Sequence, residues 1–311
     1  MARSAWGVDV NREVLRAVRL RRARPHPRLE KLLEIPLPGG AIQDGLVNDP
    51  DALAKAVGQA LPKGEPVALS ICSSQMDARR LSLPPMGRNE LREAIKWEIQ
   101  TSLRPSWEHG EEFLFDFHPL SGGEEGGSYL VVCLPRAILY SYLTPLHRMG
   151  IYPGIVDVVP FPILFADAHR REETGYLVIG PELTHILLNL DGSWGLVRTI
   201  PWGTWHLKGD AQSEEALEEL GGYLRQTLEY FRSQQRAESY TDLLRELVVG
   251  GIGGTNPLLL EFLTRQTGLA VGPSDPFIDL VVGGRIDGTL LQAGPAFALA
   301  VGLARRGLAE L

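Results

Sequence analysis

The chain has 311 residues, enough for two domains of ordinary size or one two-lobed body with a large core. Hydrophobic residues at 44% and charged residues at 22% exclude a disordered chain, and 34 Gly with 22 Pro imply many turns between short elements. With 31 basic against 38 acidic side chains, the net charge of −7 offers no overall field for nucleic acid or anionic lipid, so any basic site is local.

Cys72 and Cys133 each sit in an apolar stretch, VALSIC (67–72) and LVVCL (130–134), and read as buried strand thiols rather than a disulfide framework. The N-terminus lacks the apolar core of a signal peptide, and no uncharged apolar run approaches the roughly 20 residues that span a bilayer. The expectation is a reduced, cytoplasmic, soluble chain.

Two strand-like runs, residues 5–10 and 14–20, are joined by the short polar link Asn11-Arg12-Glu13, as in a hairpin, and a third run follows at 29–37. Residues 12–31 carry eight basic side chains (Arg12, Arg16, Arg19, Arg21, Arg22, Arg24, Arg28, Lys31) against Glu13 and Glu30. They could touch phosphates, but a solvated hairpin edge kept from aggregating by arginine is the simpler reading. Residues 49–61 predict a helix with Asp49 as N-cap and Pro50 in its first turn, and 67–72 a buried strand.

The texture changes at Met76. After a short strand at 79–83, Leu91, Ile95, Ile99 and Leu103 recur every four residues with charges between them, which predicts an amphipathic helix over 88–103. Strands at 113–117 and 129–134 flank the run SGGEEGGS (121–128). A helix at 136–149, bent near Pro145, and a strand at 155–159 close this part.

The second half restarts with strands at 175–179, 184–189 and 195–200, with a turn at Asp191-Gly192. A helix over 213–235 places Leu217, Leu220, Leu224, Leu228 and Phe231 on one face, with Ser213 as cap and acidic residues in its first turns to suit the helix dipole. A buried strand at 247–249 runs into Gly250-Gly251-Ile252-Gly253-Gly254 and a helix at 257–267. Residues 295–303 are apolar on every side, as in a buried helix. Each half thus begins with strand, turn, strand and later adds helices, which predicts a duplicated α/β lobe rather than one doubly wound sheet.

GVDV (7–10) followed by a hairpin resembles the first phosphate loop of the actin-like ATPase fold shared by actin, sugar kinases and FtsA. The longer segments NELREAIKWEIQ (89–100), EFLFDFHPL (112–120), PRAILYSYLTPLHRMGIYPGIVDVVPF (135–161), YLRQTLEYF (223–231), LVVGGIGGTNPLL (247–259) and GPAFALAVGLA (294–304) resemble, in order, the type IV pilus assembly protein PilM family. The resemblance implies a two-lobed actin-like α/β fold with an inserted small α+β subdomain. Residues 1–75 would be the first lobe, completed by about 154–174 and the C-terminal helix. Residues 76–153 would be the insertion and 175–311 the second lobe.

The family implies ATP with Mg²⁺ as cofactor, held here by Asp9, Asn11, Arg12, Gly180, Thr184, Gly250, Gly251 and Gly253. Several positions depart from its pattern. Asn11, Arg12, Glu13 and Val14 stand where the family has glycine and small hydroxyl residues that let backbone N–H groups approach phosphates. Arg16 takes a lysine position, Val178 an acidic one two before Gly180, and Tyr223 a frequent Glu. These departures imply weakened nucleotide binding and inefficient hydrolysis, with no catalytic residues. The implied partner is the N-terminal cytosolic peptide of a PilN-like inner-membrane protein, in a groove between the first lobe and the insertion, with a pilus motor ATPase as a further candidate. Leu83, Met86, Trp97 and Leu103 are the candidate contacts. Core packing is the competing reading for Leu103, whereas Trp97 lies off the apolar stripe. The implied location is cytoplasmic, peripheral to the inner membrane through partners.

Other classes fare worse. Gly251-Ile252-Gly253 begins a dinucleotide fingerprint, but Asn256 holds the third glycine position. The seven histidines show no HExxH motif and no Cys/His pairing, and Ser70, Ser73 and Ser74 lie in no nucleophile elbow. Asp9, Asp157 and Asp167 could form an acidic cluster, though caps and strand ends explain them as well. An active ATPase or kinase of the same fold would need more acidic residues than Asp9. A GspL-like type II secretion scaffold would normally continue into a transmembrane helix, and an FtsA-like protein into an amphipathic one.

Overall fold

The computed structural model describes residues 3–103, 112–121, 127–167, 173–190, 193–207, 210–283 and 286–311. The turn at Asp191-Gly192 and most of the glycine-rich run 121–128 lie outside the described residues, as do the side chains of Leu103 and Ser213.

The chain opens with strands β1 (Ser4–Val10), β2 (Val14–Arg21) and β3 (Arg28–Pro36), the minute hairpin β4 (Ile42–Gln43) and β5 (Leu46–Val47), helix α1 (Pro50–Ala60) and β6 (Val67–Ile71). Asp49 caps α1 as expected, its carboxylate accepting from the N–H groups of Asp51 and Ala52 ahead of Pro50 in the first turn. Then come β7 (Asp77–Leu83), α2 (Arg88–Glu98), β8 (Phe113–Ser121), β9 (Gly127–Pro135), α3 (Arg136–Arg148), β10 (Ile155–Val158) and α4 (Ile163–Ala166). The rest comprises β11 (Thr174–Ile179), β12 (Thr184–Leu190), β13 (Ser193–Ile200), α5 (Asp210–Gln235), β14 (Glu246–Gly250), α6 (Pro257–Thr267), β15 (Ala270–Pro273), β16 (Val281–Val282), α7 (Gly288–Gln292) and α8 (Ala298–Glu310).

The duplication expected from the strand pattern is visible in the sheets. One runs β10-β6-β1-β2-β3-β16 and the other β13-β12-β11-β14-β15. In each, an antiparallel three-strand meander is extended by parallel strands from its first member: β1 pairs with β6 and then β10, and β11 with β14 and then β15. The inserted α+β subdomain has its own three-stranded sheet, β7-β9-β8, joined to the first lobe through α3. Ile138, Tyr142 and Leu146 of α3 share a core with α1 and the first sheet.

The arginine-rich run is not a sheet edge as the sequence suggests. β2 lies between β1 and β3, and its arginines are matched along the sheet: Arg16 to Glu34 (2.7 Å), Arg19 to Glu30 (2.6 Å) and Glu65 (2.8 Å), Arg21 to Glu30 (2.8 Å). The amphipathic helix ends at Glu98 and continues as a wider turn through Leu103. There the Thr101 hydroxyl takes the Trp97 carbonyl at 2.8 Å, a back-bond that loosens a helix.

α8 lies between the lobes. Ala300, Val301 and Ala304 pack on the first lobe, while Ala298 and Leu299 join Ile163 of α4 and Tyr176, Val178 and Val248 of the second. Small residues permit this: an added Cβ at Gly7 would stand 1.9 Å from the Ala300 carbonyl oxygen, and one at Gly302 1.8 Å from that of Pro162. The buried helix read over 295–303 therefore starts as a tight turn at Gly294–Phe297 and runs on to Glu310.

Candidate functional site in the interlobe cleft

Three turns converge on a cavity of about 330 Å³ between the lobes: residues 11–13 from the β1–β2 hairpin, 180–183 from the β11–β12 hairpin, and 251–252 after β14. Asp9, Asn11, Arg12, Gly180 and Gly251 line it, as the sequence places them.

Asp9 ends β1 beside Ser70 of β6 and Arg16 of β2. It accepts a 2.6 Å hydrogen bond from the Ser70 hydroxyl. Burial raises its pKa above the ordinary 3.8, against the lowering effects of that hydrogen bond and of Arg16. A carboxyl whose folded pKa is raised binds its proton more tightly in the native state, so its contribution to stability is fully present below pH 3.8 and lost as pH rises through the folded pKa. Asp9→Asn is therefore expected to raise the melting temperature at pH 8, with a smaller gain at pH 4. Thermal melts across that range check it, and an equal or opposite change at pH 8 would refute it.

The first hairpin turn spends its amides on itself. Asn11 Oδ1 accepts from the N–H groups of Glu13 (2.9 Å) and Val14 (3.0 Å), and the Asn11 N–H donates to the Val14 carbonyl (3.0 Å). In the second, the Gly180 N–H donates to the Leu183 carbonyl at 2.9 Å. Thr184 faces away from the cavity: it is fully buried and its hydroxyl donates to the Trp202 carbonyl at 2.8 Å. Gly251 has φ +78° and donates its N–H to the Pro295 carbonyl at 2.8 Å. Gly250 and Gly253 do not line the cavity; a Cβ would strike Ile163 Cδ1 at 2.6 Å from the first and Ile179 Cβ at 2.5 Å from the second. Their glycine character serves strand and turn packing.

Two features escape sequence reading. Cys72 and His185 meet across the lobes with Sγ 3.4 Å from Nε2, while His185 Nδ1 is 2.9 Å from the Thr199 hydroxyl. The thiol is pushed up to about 12 by burial and by the charges of Asp9 and Glu182, and burial lowers His185 to about 4. Both groups are therefore neutral at pH 7, and the contact is a packed pair rather than an activated nucleophile. The second feature is the loop PWGTWHL (201–207), which packs on the second hairpin turn. Thr204 and Trp205 donate their N–H groups to the Gly180 and Pro181 carbonyls at 3.0 Å, and a Cβ on Gly203 would lie 2.3 Å from the Pro181 oxygen. Trp-Gly-Thr-Trp after a strand was the available signal.

The supposed acidic cluster disperses: Asp157 accepts from Arg306 (2.6 Å), and Asp167 from the Ser274 hydroxyl (2.6 Å). Among the described residues no group of three or more His, Cys, Asp or Glu could hold a metal ion.

Of the partner candidates, Leu83 and Met86 pack with Leu91, Ile95, Ile99, Val131 and Cys133 in the subdomain's own core, under α2. The other face of that sheet, with Ala78, Val132 and Leu134, meets Val158, Phe161 and Val197. Both are partly buried there. Trp97 is 61% exposed on α2. The guanidinium of Arg92, also on α2, lies 4.7 Å over the Phe115 ring of β8.

Two lobes of matching topology enclosing a cleft, with a helix between them and a small inserted subdomain, define an actin-like ATPase fold. Among solved structures, a Bacteroides thetaiotaomicron protein with actin-like ATPase fold and unknown function superposes with TM-score 0.55 at 12% identity over 88% of this chain and 91% of that one. MreB 5 of Spiroplasma citri bound to AMPPNP gives 0.50 at 11% identity over 97% and 95%. Within that class the architecture is of the PilM type: a chain of the PilM-PilN type IV pilus biogenesis complex matches with TM-score 0.81 at 26% identity over 98% of both chains. No family profile and no curated protein sequence matches. No described helix is long and apolar enough to cross a membrane.

Proposed function

We propose that this chain is a cytoplasmic scaffold of a type IV pilus assembly machine, held at the inner membrane by the cytosolic N-terminal tail of a PilN-like protein. The observation that carries the reading is the end-to-end likeness to a chain of the PilM-PilN complex. The tail engages the inserted subdomain, where exposed Trp97 is the anchor: packing α2 does not require it, and aromatic side chains of this kind dominate interface energetics. The cleft's grip on nucleotide is weakened. Glu13 sets a carboxylate beside the first turn, Val178 supplies no acid, and the amides of Asn11, Glu13, Val14 and Gly180 bond within their own turns. A like charge about 4 Å from a phosphate in a partly buried site is repelled by roughly 4 kcal/mol.

The test is co-expression with the full-length membrane partner or with a partner lacking its cytosolic tail. The reading expects the chain in the membrane fraction with the first and in the soluble fraction with the second. Equal distribution in both strains would refute it.

A further inference from the structure

The two hairpin turns that face each other across the cleft are joined by their own side chains. Arg12 of the first turn forms an ion pair with Glu182 of the second, and its guanidinium lies 4.6 Å above the ring of Trp205. Trp205 Nε1 in turn donates to Glu13 Oε1 at 2.5 Å. Neighbouring residues on one turn thus grip the second lobe at two points, one from its hairpin and one from the loop packed on that hairpin.

We propose that Arg12, Glu13, Glu182 and Trp205 form a clasp that holds the two lobes together without a nucleotide, so that the protein's own side chains set the closure of the cleft.

Each contact alone would be weak. The Arg12 and Glu182 side chains are 29% and 33% exposed, a setting in which a lone ion pair contributes little. Here the ion pair, the stacked guanidinium and the indole hydrogen bond share members, and connected polar contacts strengthen one another. The second lobe presents Glu182 and Trp205 as one rigid unit. The Trp205 N–H is fixed to the Pro181 carbonyl, Gly203 lets the loop touch the turn, and neighbouring Trp202 is fully buried with its Nε1 donating to the Ala216 carbonyl at 2.8 Å. The first turn is equally fixed, by the two amide bonds to Asn11 Oδ1 and by the Leu37 N–H donating to the Glu13 carbonyl at 2.8 Å. Two pre-organised turns lose little freedom when they join.

The cleft contains its own reporter. Cys72, on the first lobe, lies against His185 of the second and lines the cavity, whereas Cys133 is buried in the subdomain core. Parting of the lobes would expose the Cys72 thiol and return it towards ordinary acidity, raising the thiolate fraction that adds to a maleimide double bond.

The experiment follows N-ethylmaleimide labelling of the full chain, with Cys72 and Cys133 separated by peptide mass spectrometry. Arg12→Gln and Trp205→Ala are each expected to label Cys72 at least about tenfold faster than wild type, with Cys133 unchanged. With Trp205→Ala already present, Glu13→Gln is expected to add nothing, because the partner it would release is gone. Millimolar MgATP is expected to leave the wild-type rate unchanged. An unaltered Cys72 rate in both variants, or additive effects of Trp205→Ala and Glu13→Gln, would overturn the clasp. A parallel rise at Cys133 would overturn it too, by showing that these side chains support the whole fold. Slowing of wild-type labelling by MgATP would overturn its independence of nucleotide. The readout uses no membrane partner, so it succeeds or fails apart from the pilus reading.

Discussion

Gly302→Ala is expected to lower the melting temperature by roughly 5 °C, the shift that about 3 kcal/mol of overpacking produces in a chain of 311 residues. The added methyl would lie 1.8 Å from the Pro162 carbonyl oxygen and 2.7 Å from its carbon, so backbone meets backbone and no side chain can rotate aside. α8 would have to lift from α4, and in doing so would disturb Ala298 and Leu299 in the core it shares with the second lobe. Gly222→Ala supplies the contrast. This glycine lies inside α5 with nothing within 4 Å of an added Cβ, so alanine should stabilise by about 0.5–1 kcal/mol through the unfolded chain. Thermal melts of the pair check both signs, and an unchanged Gly302→Ala melt would mean that α8 does not approach α4 this closely.

The periodic parts of the fold are legible in the sequence. The α1 cap needs only Asp49 and Pro50, which are local, and the four-residue recurrence of Leu91, Ile95 and Ile99 places three buried side chains on one face of α2 and its continuation. The duplicated lobe is legible because each meander is contiguous in the chain. Short elements are not: β16 is two residues long and exists only by pairing in parallel with β3. The end of α2 is marked by a bond from the Thr101 hydroxyl to the Trp97 carbonyl, which a hydrophobic repeat does not register.

The site divides in the same way. Asp9, Asn11, Arg12, Gly180 and Gly251 reach the cleft because hairpin turns and strand ends can be counted along the chain. Arg12 and Glu182 are 170 residues apart, and Glu13 and Trp205 are 192, so nothing local announces their pairing. Thr184, Gly250 and Gly253 do not line the cavity. Their residue types suit a phosphate loop, yet one anchors the Trp202 loop and two permit close packing. The position of Trp97 off the apolar stripe was readable, and its exposure agrees with the helical period.

The scaffold reading rests on capture of a membrane protein's tail, and calorimetric titration of that tail peptide into wild type and Trp97→Ala tests it most directly. Wild type should bind saturably, one peptide per chain. Truncating an aromatic anchor at an interface costs about 2 kcal/mol, so Trp97→Ala should bind roughly 30-fold more weakly. Because Trp97 is 61% exposed and outside the α2 core cluster, the variant should melt within about 1 °C of wild type. Equal affinity of both proteins for the peptide, or no binding to wild type, would contradict the account.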